Sequence, residues 1–275
     1  MQETAMLKIR RFNPERNEKA HWETFTVPLT AEKTILDALE SIKAEQDGTL
    51  TFRRSCRHAI CGSCAMNVNG RNMLVCNQPL ARHLDRHKRV TIRPLPYLPV
   101  IKDLVVDRSR FWEQYQRIRP WLIAPATAGC KEYRVTPEEV SALNSAETCI
   151  MCGACFSACT VSALNKNYMG PHALLKAFLR VLDPRDSAPG ERLAQLAGDD
   201  GVFRCHTIFN CIDACPKGLD PTRAIETLRT LAQKREQFEA QRRERQKTLV
   251  ASEEAIAAEG QQAGREEIGE VLETA

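Results

Sequence analysis

Cysteines are the residues of this sequence whose type and spacing could do chemistry. Of the 12 cysteines, all but one fall within residues 56–76, 149–159 and 205–215. The exception is Cys130, in AGCKEYRV, for which an ordinary free thiol is the expected state. The N-terminus lacks the uninterrupted apolar stretch of a secretory signal, so we expect no export. Clustered cysteines in such a chain indicate metal ligands and not a disulfide framework.

The first group has the pattern C-x4-C-x2-C followed by a fourth cysteine after eleven residues: Cys56, Cys61, Cys64 and Cys76. The first three spacings match the plant-type [2Fe–2S] pattern. Gly62 can take a positive φ and allow the tight loop that such a cluster needs. A zinc knuckle is the alternative, but zinc cysteines usually come as two close pairs.

Basic and imidazole side chains lie close in sequence to some of these cysteines. Arg53, Arg54 and Arg57 are close in sequence, and we expect their positive charge to offset that of a bound cluster. His58 and His206 each adjoin a cysteine of these groups, and we expect hydrogen-bonding or packing roles for both.

The second and third groups resemble the bacterial ferredoxin run C-x2-C-x2-C-x3-C-P. CIMCGACFSAC has all four cysteines, with Thr160 in place of the proline, whereas RCHTIFNCIDACPKG has Ile208 where the second cysteine belongs. In two-cluster ferredoxins the fourth cysteine of each run serves the other cluster. This rule predicts a [4Fe–4S] site and a second site with three thiolates. The predicted ligands are Cys149, Cys152, Cys155 and Cys215 for the first, and Cys159, Cys205 and Cys211 for the second.

Ile208 leaves the second site one ligand short, since an aliphatic side chain cannot bind iron. A [3Fe–4S] cluster, which lacks one corner iron, would match three protein ligands. Zinc is an alternative, although a structural zinc site is normally closed by four ligands. Decay of the motif is another, but the other seven ligand positions are intact.

The remaining sequence predicts two kinds of structure around these cysteines. Strand patterns at 6–12, 21–27 and 89–94, a helix capped by Thr34, and an Asn69-Gly70 hairpin indicate a strand-rich first part. PLPYLP then suggests a boundary, giving domains at 1–100 and 101–236 and a charged tail at 237–275, helical or disordered. From Lys102 onward we expect helices, including one over DLVVDRSRFWEQYQRI.

Composition excludes several classes of function. A formal net charge of +4 with few aromatic residues argues against nucleic acid. No apolar run reaches the length of a membrane span, so we expect a soluble or peripheral protein. The sequence has no pattern of nucleophile and base and no phosphate-binding glycine loop. These observations predict an electron carrier with no substrate-transforming site of its own.

These motifs together resemble the iron–sulfur subunit of succinate dehydrogenase and fumarate reductase, the respiratory complex II family. The resemblance rests on RRSCRHAICGSCAMNVNGR, CIMCGACFSAC and FRCHTIFNCIDACPKGLDPTRAI, and covers about residues 5–235. It implies an α+β fold: an N-terminal β-grasp, plant-type ferredoxin domain followed by an all-α, bacterial-ferredoxin-like domain. Electrons would pass from FAD through [2Fe–2S], [4Fe–4S] and [3Fe–4S] clusters to quinone.

The resemblance also implies partners and a location. These are a flavoprotein subunit with FAD, and a cytochrome b-type membrane anchor, with or without haem, at the cytoplasmic face of a bacterial inner membrane. His206 and Ile208 match positions beside quinone, whereas TVSALN replaces the proline and tryptophan of ubiquinone-using members. Thr160 could still take part, and Lys217 matches a position near the membrane face. A quinol:fumarate reductase subunit and an iron–sulfur carrier for another flavin dehydrogenase are the alternatives.

Overall fold

The first half of the chain is a mixed sheet and the second half is helical. The computed structural model describes residues 3–16, 19–124, 135–245 and 247–248, so Cys130 and most of the predicted tail lie outside the described residues. The sheet has the order β2-β1-β5-β3-β4, in which β1 and β5 are parallel and the other neighbours are antiparallel. Its strands are Thr4–Arg11 (β1), His21–Pro28 (β2), Ala65–Val68 (β3), Arg71–Leu74 (β4) and Arg89–Arg93 (β5). This arrangement agrees with the α+β fold expected from the sequence.

One helix, Ile35–Glu45 (α1), covers this sheet and begins where the sequence predicts. The Thr34 hydroxyl accepts from the Asp37 backbone N–H, and the Asp37 carboxylate accepts from the Thr34 N–H, which forms a capping box. The apolar residues of α1 recur at helical spacing and are fully buried under the sheet. Alternation along β1 places Leu7 and Ile9 in the same core.

The Asn69-Gly70 turn joins β3 to β4 and returns the chain toward the first cysteine loop. Both residues have positive φ, 48° and 90°, as a tight hairpin turn requires. The Val75 N–H donates to the Cys64 carbonyl at 3.4 Å, so the end of the hairpin lies against the loop. The predicted hairpin is therefore confirmed, and it brings Cys76 next to Cys64.

The helix predicted over 103–118 is wrong in its first part. Val100–Lys102 (β6) and Val105–Val106 (β7) form a small hairpin, and the helix covers only Ser109–Arg117 (α2). The apolar spacing of this stretch reflects burial of Leu104 and Val106 in the first core instead of one helix face. Asp103, at φ 45°, turns between the two short strands. This core extends beyond residue 100, and the predicted domain limits stay a prediction.

The helical half is built around one central, buried helix, Gly170–Leu182 (α6). At least five other helices of the described residues pack directly on α6, and the cysteines of this half lie in or beside short helices. Residues 235–245 form a further helical segment after residue 234. Within the described residues, no helix is both long and apolar enough to cross a membrane. The other helices are Pro137–Glu147 (α3), Ala154–Ala158 (α4), Thr160–Leu164 (α5), Pro189–Leu196 (α7), Asn210–Asp213 (α8) and Pro221–Gln233 (α9).

Candidate iron–sulfur cluster sites

The loop from Cys56 to Cys64 directs backbone N–H groups at cysteine sulfurs. The Cys56 sulfur accepts from the N–H groups of His58, Ile60 and Cys61 at 3.5, 3.4 and 3.3 Å. These bonds, first that of His58, lower the pKa of Cys56 to about 6. The Ala59 N–H donates to the Cys76 sulfur at 3.2 Å. The loop therefore stabilises thiolates before any cluster is considered.

Positive φ angles give this loop its shape. Arg57 and Ala59 lie at φ 62° and 60°, and Gly62 at 72°. Successive N–H groups can then converge on one side of the chain, as in backbone anion-binding nests. Of these three positions only Gly62 was expected to need the left-handed conformation, because the sequence gives no such signal for arginine or alanine.

The four cysteines of this loop lie in two different environments. Cys56 and Cys61 face the outside, whereas Cys64 and Cys76 are buried against the core. Burial raises the pKa of Cys64 to about 12, so that thiol is protonated unless a cation replaces the proton. The site therefore fits a group that brings positive iron to buried thiolates.

Two of the three arginines near this loop are not free counter-charges. Arg54 and Arg57 both pair with Glu40 on α1, at 2.7 and 3.2 Å. The carboxylate compensates part of the positive charge that the sequence assigned to the cluster. These exposed pairs are screened by water, and their main effect is to hold the loop against α1.

Four of the predicted ligands line one cavity in the helical half, which we call the Cys215 cavity: Cys149, Cys152, Cys155 and Cys215. Gly153, at φ 85°, precedes α4 and turns the chain between the second and third of these cysteines. The Leu219 N–H donates to the Cys215 sulfur at 3.4 Å. The structure thus brings residues more than fifty positions apart into one site, with the grouping that the crossover rule predicts.

Burial dominates the electrostatics of the Cys215 cavity. It raises the pKa of Cys149 and Cys155, and that of Cys152 to about 11. Neighbouring cysteines add to the increase, because their negative charges oppose a further thiolate. Deprotonated cysteines in this cavity therefore require positive charge close by.

The three other predicted ligands line a second cavity, which we call the Ile208 cavity: Cys159, Cys205 and Cys211. Thr160, His206 and Ile208 line the same cavity. Ile208 is half exposed, and Thr207 and Phe209 on either side have positive φ. Lys217 lies elsewhere, on the wall of the Cys215 cavity, so the structure does not bring it together with the other three predicted quinone-side residues.

Two residues of the Ile208 cavity were not expected from the sequence. The Thr222 hydroxyl lies 3.3 Å from the Cys211 sulfur. Tyr168 is buried beside the three cysteines, and burial and their charges raise the pKa of its hydroxyl. Thr222 is the second residue of α9, and a helix start gives no sign of a sulfur neighbour. Neither residue could have been identified without the fold.

The donor sets of these sites suit iron–sulfur clusters, because all of the predicted ligands are cysteines. Within the described part of the chain, no three His, Cys, Asp or Glu side chains lie close enough together to hold one metal ion. The cysteines instead stand around cavities, as the ligands of a polynuclear centre do. Soft thiolates are also the ligands that such clusters use.

The first loop touches the Cys215 cavity directly. A Cβ atom built on Gly62 would lie 2.8 Å from the Cβ of Cys152 and 3.2 Å from the Ile150 carbonyl oxygen. Only glycine fits between the two cysteine loops at this point. The contact brings the backbone between Cys61 and Cys64 against a ligand candidate of the next site.

Comparisons with known proteins agree with this geometry. A family model described as a 2Fe-2S iron-sulfur cluster binding domain matches residues 6–113. A second, described as a 4Fe-4S dicluster domain, matches residues 145–219. The chain is 43% identical over 229 residues to the succinate dehydrogenase iron-sulfur subunit of Paracoccus denitrificans, covering 80% of this chain and 87% of that protein.

A solved structure has a similar fold over most of the chain. A chain in the structure described as the Mycobacterium smegmatis Sdh1 complex in the apo form matches with a TM-score of 0.77 and 25% identity. The match covers 86% of this chain and 98% of that one. The family resemblance and the α+β fold expected from the sequence are confirmed. This protein therefore belongs to the family of iron–sulfur electron-transfer subunits of succinate dehydrogenase, an oxidoreductase.

Proposed function

We propose that this chain is the electron-transfer subunit of a succinate:quinone oxidoreductase. Bound clusters would pass single electrons from the FAD of a flavoprotein subunit to membrane quinone. The observation that carries this proposal is the division of seven cysteines of the helical half between two cavities, four in one and three in the other. A chain that only stored metal would need no such ordered pair of sites next to a third.

The proposed ligands follow the three groups of cysteines. The loop of the first half holds [2Fe–2S], the Cys215 cavity holds [4Fe–4S], and the Ile208 cavity holds [3Fe–4S]. Ile208 reaches the last cavity as an apolar side chain at the place of a fourth ligand. The ligands are Cys56, Cys61, Cys64 and Cys76; Cys149, Cys152, Cys155 and Cys215; and Cys159, Cys205 and Cys211.

The contacts between sites support this order of electron transfer. The gap between Gly62, in the first loop, and Cys152 is too narrow for a methyl group. Helix α4 then runs from the Cys215 cavity to the Ile208 cavity, because it contains Cys155 and ends next to Cys159. This arrangement supports a linear sequence of three sites, which the chain's own backbone holds at fixed separations.

The Ile208 cavity is the proposed exit to quinone. Several apolar residues close in sequence to the cysteines of this cavity are exposed: Phe203 at 46%, Ile208 at 49%, Phe209 at 52% and Leu164 at 88%. Such a surface suits an apolar partner. Thr160 and His206 would contact quinone there, with Lys217 balancing charge from the neighbouring cavity. The partner is a cytochrome b-type anchor, at the cytoplasmic face of a bacterial membrane.

Metal analysis with EPR spectroscopy tests the cluster assignment. We expect about nine irons and acid-labile sulfide per chain, with signals of three distinct clusters. An oxidised [3Fe–4S] signal should be lost when Cys205 or Cys211 is replaced by alanine, while the [2Fe–2S] signal persists. A colourless, zinc-loaded protein would refute the proposal.

Purification of the native complex tests the partners and the direction. Co-purification of a flavoprotein and a membrane subunit is expected, and a chain isolated alone would favour a carrier for another flavin dehydrogenase. Voltammetry of the assembled complex then compares succinate oxidation with fumarate reduction. A strong bias toward reduction would favour the quinol:fumarate reductase alternative.

A further inference from the structure

One arginine of the described residues, Arg108, lies against the loop of the [4Fe–4S] candidate site. Arg108 immediately precedes α2, and its Nη2 donates to the backbone carbonyl of Met151, between Cys149 and Cys152. A Cβ atom on Gly153 would lie 3.5 Å from the same Nη2. The guanidinium therefore lies over the loop that presents the first three cysteines of the Cys215 cavity.

Aromatic rings hold the Arg108 guanidinium in this position. Its central carbon lies 4.5 Å from the ring centroid of Phe111 and 5.3 Å from that of Trp112. The Phe111 ring in turn stacks on the ring of His172, on α6, with the two ring centroids 4.0 Å apart. His172 also donates from Nε2 to the Phe111 carbonyl. Planar stacking and a fixed carbonyl acceptor leave the guanidinium little freedom.

No carboxylate neutralises this arginine. None of the ion pairs within the described residues includes Arg108, and its Nε is buried without an acceptor. The negative charges that act on it are those of Cys152 and Cys155. Burial lowers the pKa of Arg108, but a guanidinium remains charged at neutral pH. A half-buried cation without an acidic partner is costly unless another anion lies nearby.

We propose that Arg108 is a positioning residue that supplies the counter-charge of the [4Fe–4S] site and raises its midpoint potential. The inference rests on the proposed placement of that cluster in the Cys215 cavity. Four thiolates make such a site negative, and reduction adds one more negative charge. A fixed cation at its wall stabilises the reduced state more than the oxidised state.

The electron balance of this step involves no proton. The [4Fe–4S] group would gain one electron and the [2Fe–2S] group would lose one, and no bond forms or breaks. Arg108 keeps its proton throughout. His172, in contrast, is neutral, because burial lowers its pKa to about 3. The positive charge of Arg108 can therefore favour the transfer without any change in its protonation.

The test is an EPR-monitored redox titration of the purified complex with Arg108→Gln, Arg108→Lys and Arg117→Gln. Arg117 is the control, since its substitution removes the same charge at the other end of α2, where Arg117 contacts Gln114 and Asn167 and pairs with Asp200. At a fixed ambient potential, we expect Arg108→Gln to lower the ratio of reduced to oxidised [4Fe–4S] roughly tenfold, about 59 mV for one electron. Arg108→Lys should lower it less than threefold, and Arg117→Gln should leave it unchanged.

The outcomes separate this inference from the proposed function. If the unmodified complex has no [4Fe–4S] signal, the proposed site is wrong and the inference fails with it. If the signal is present and Arg108→Gln titrates like the unmodified complex, only the inference is overturned. If Arg108→Gln does not retain the cluster, the titration of Arg108→Lys tests the inference. A midpoint potential close to that of the unmodified complex supports a charge effect, and a tenfold fall in the ratio of reduced to oxidised cluster contradicts it.

Discussion

The side chain at position 208 determines how many thiolates face the Ile208 cavity. Ile208 lines this cavity together with Cys159, Cys205 and Cys211, and it stands in the register of a ferredoxin cysteine. We predict that Ile208→Cys supplies a fourth thiolate and converts the cluster toward [4Fe–4S] with a lower potential. EPR spectroscopy would show loss of the oxidised [3Fe–4S] signal.

Ile208→Val is the control for this substitution, because it trims the same side chain without adding a ligand. We expect it to retain the [3Fe–4S] signal. An unchanged signal in Ile208→Cys, with the variant protein folded and its other clusters present, would show that position 208 does not point at the missing iron.

Gly62 tests the contact between the first loop and the Cys215 cavity. Alanine there would suffer from the positive φ of 72° and from a Cβ 2.9 Å from the Cα of Cys152. We expect Gly62→Ala to lower the free energy of unfolding by more than the roughly 1–2 kcal/mol of left-handed backbone strain alone. Rapid-freeze EPR should also show slower reduction of [4Fe–4S] by [2Fe–2S].

Gly70 provides a close control, since its φ is 90° and a Cβ there would have no neighbour within 4 Å. Gly70→Ala should show the backbone strain without slower electron transfer. Equal effects of the two substitutions on both measurements would argue that the Gly62–Cys152 contact has no role beyond its backbone conformation.

At the scale of elements, features that depend on neighbouring residues were predicted correctly, whereas contacts between distant parts of the chain were not. The Thr34 capping box and the Asn69-Gly70 turn depend on residues within a few positions of one another, so the sequence alone locates them. The division of cysteines between two cavities was also predictable, because spacing along the chain expresses it. Arg108 and His172 were not, since they approach the site from α2 and α6, and no local pattern marks that approach.

The error at residues 103–106 has the same cause. Apolar residues there fit helical spacing, but β7 pairs with β6 and fills the core of the sheet. Tertiary packing outweighed a weak periodicity in a stretch of only a few residues. A buried two-residue strand gives too short a pattern to be distinguished from the start of a helix.

An arginine from the helical segment 235–245 binds the carbonyl groups at the end of α6. Arg242 donates to the carbonyl groups of Val181, Asp183, Pro184 and Asp186, at 3.4, 3.2, 3.2 and 2.6 Å. The last carbonyls of a helix lack partners within the helix, and a cation satisfies them and opposes the helix dipole. The residues 235–245 thus stabilise the helix that supports both cysteine cavities.

We predict that Arg242→Ala lowers the free energy of unfolding by about 1.5–3 kcal/mol, the usual size for hydrogen bonds from a charged group. Arg243→Ala, at the exposed neighbouring position, should change it by less than about 0.5 kcal/mol. Chemical denaturation of the cluster-loaded protein measures both. Equal stability of the two variants would show that water replaces Arg242 at these carbonyls without cost.

At the scale of the whole molecule, a polar bridge and an aromatic contact join the two halves. The Asn72 side chain on β4 donates to the Ala154 carbonyl at 3.0 Å and to the Ser157 hydroxyl at 2.8 Å, and accepts from Asn67 at 2.8 Å. Phe111 and Phe156 meet edge to face nearby. All of these groups are buried, so each half covers polar atoms of the other. The bridge ends on α4, the helix that separates the two cysteine cavities.

This position makes Asn72 one of the contacts that hold the sheet against α4. We predict that Asn72→Leu destabilises the interface by about 1–3 kcal/mol, because buried acceptors and the Asn67 donor lose their partners. The two halves should then unfold in separate steps instead of one. Calorimetry would resolve two transitions, and EPR would show a weaker magnetic interaction between [2Fe–2S] and [4Fe–4S].

Asn13→Ala is the control, since the bond that the Asn13 side chain accepts among the described residues is a local one, from the Glu15 N–H in the same half. It should leave a single transition. Because the inter-cluster separation governs electron transfer while each cluster keeps its own ligands, Asn72→Leu should slow transfer without loss of iron. If iron is lost from the Cys215 cavity instead, then α4 needs the sheet in order to form that site, and the two halves are one folding unit.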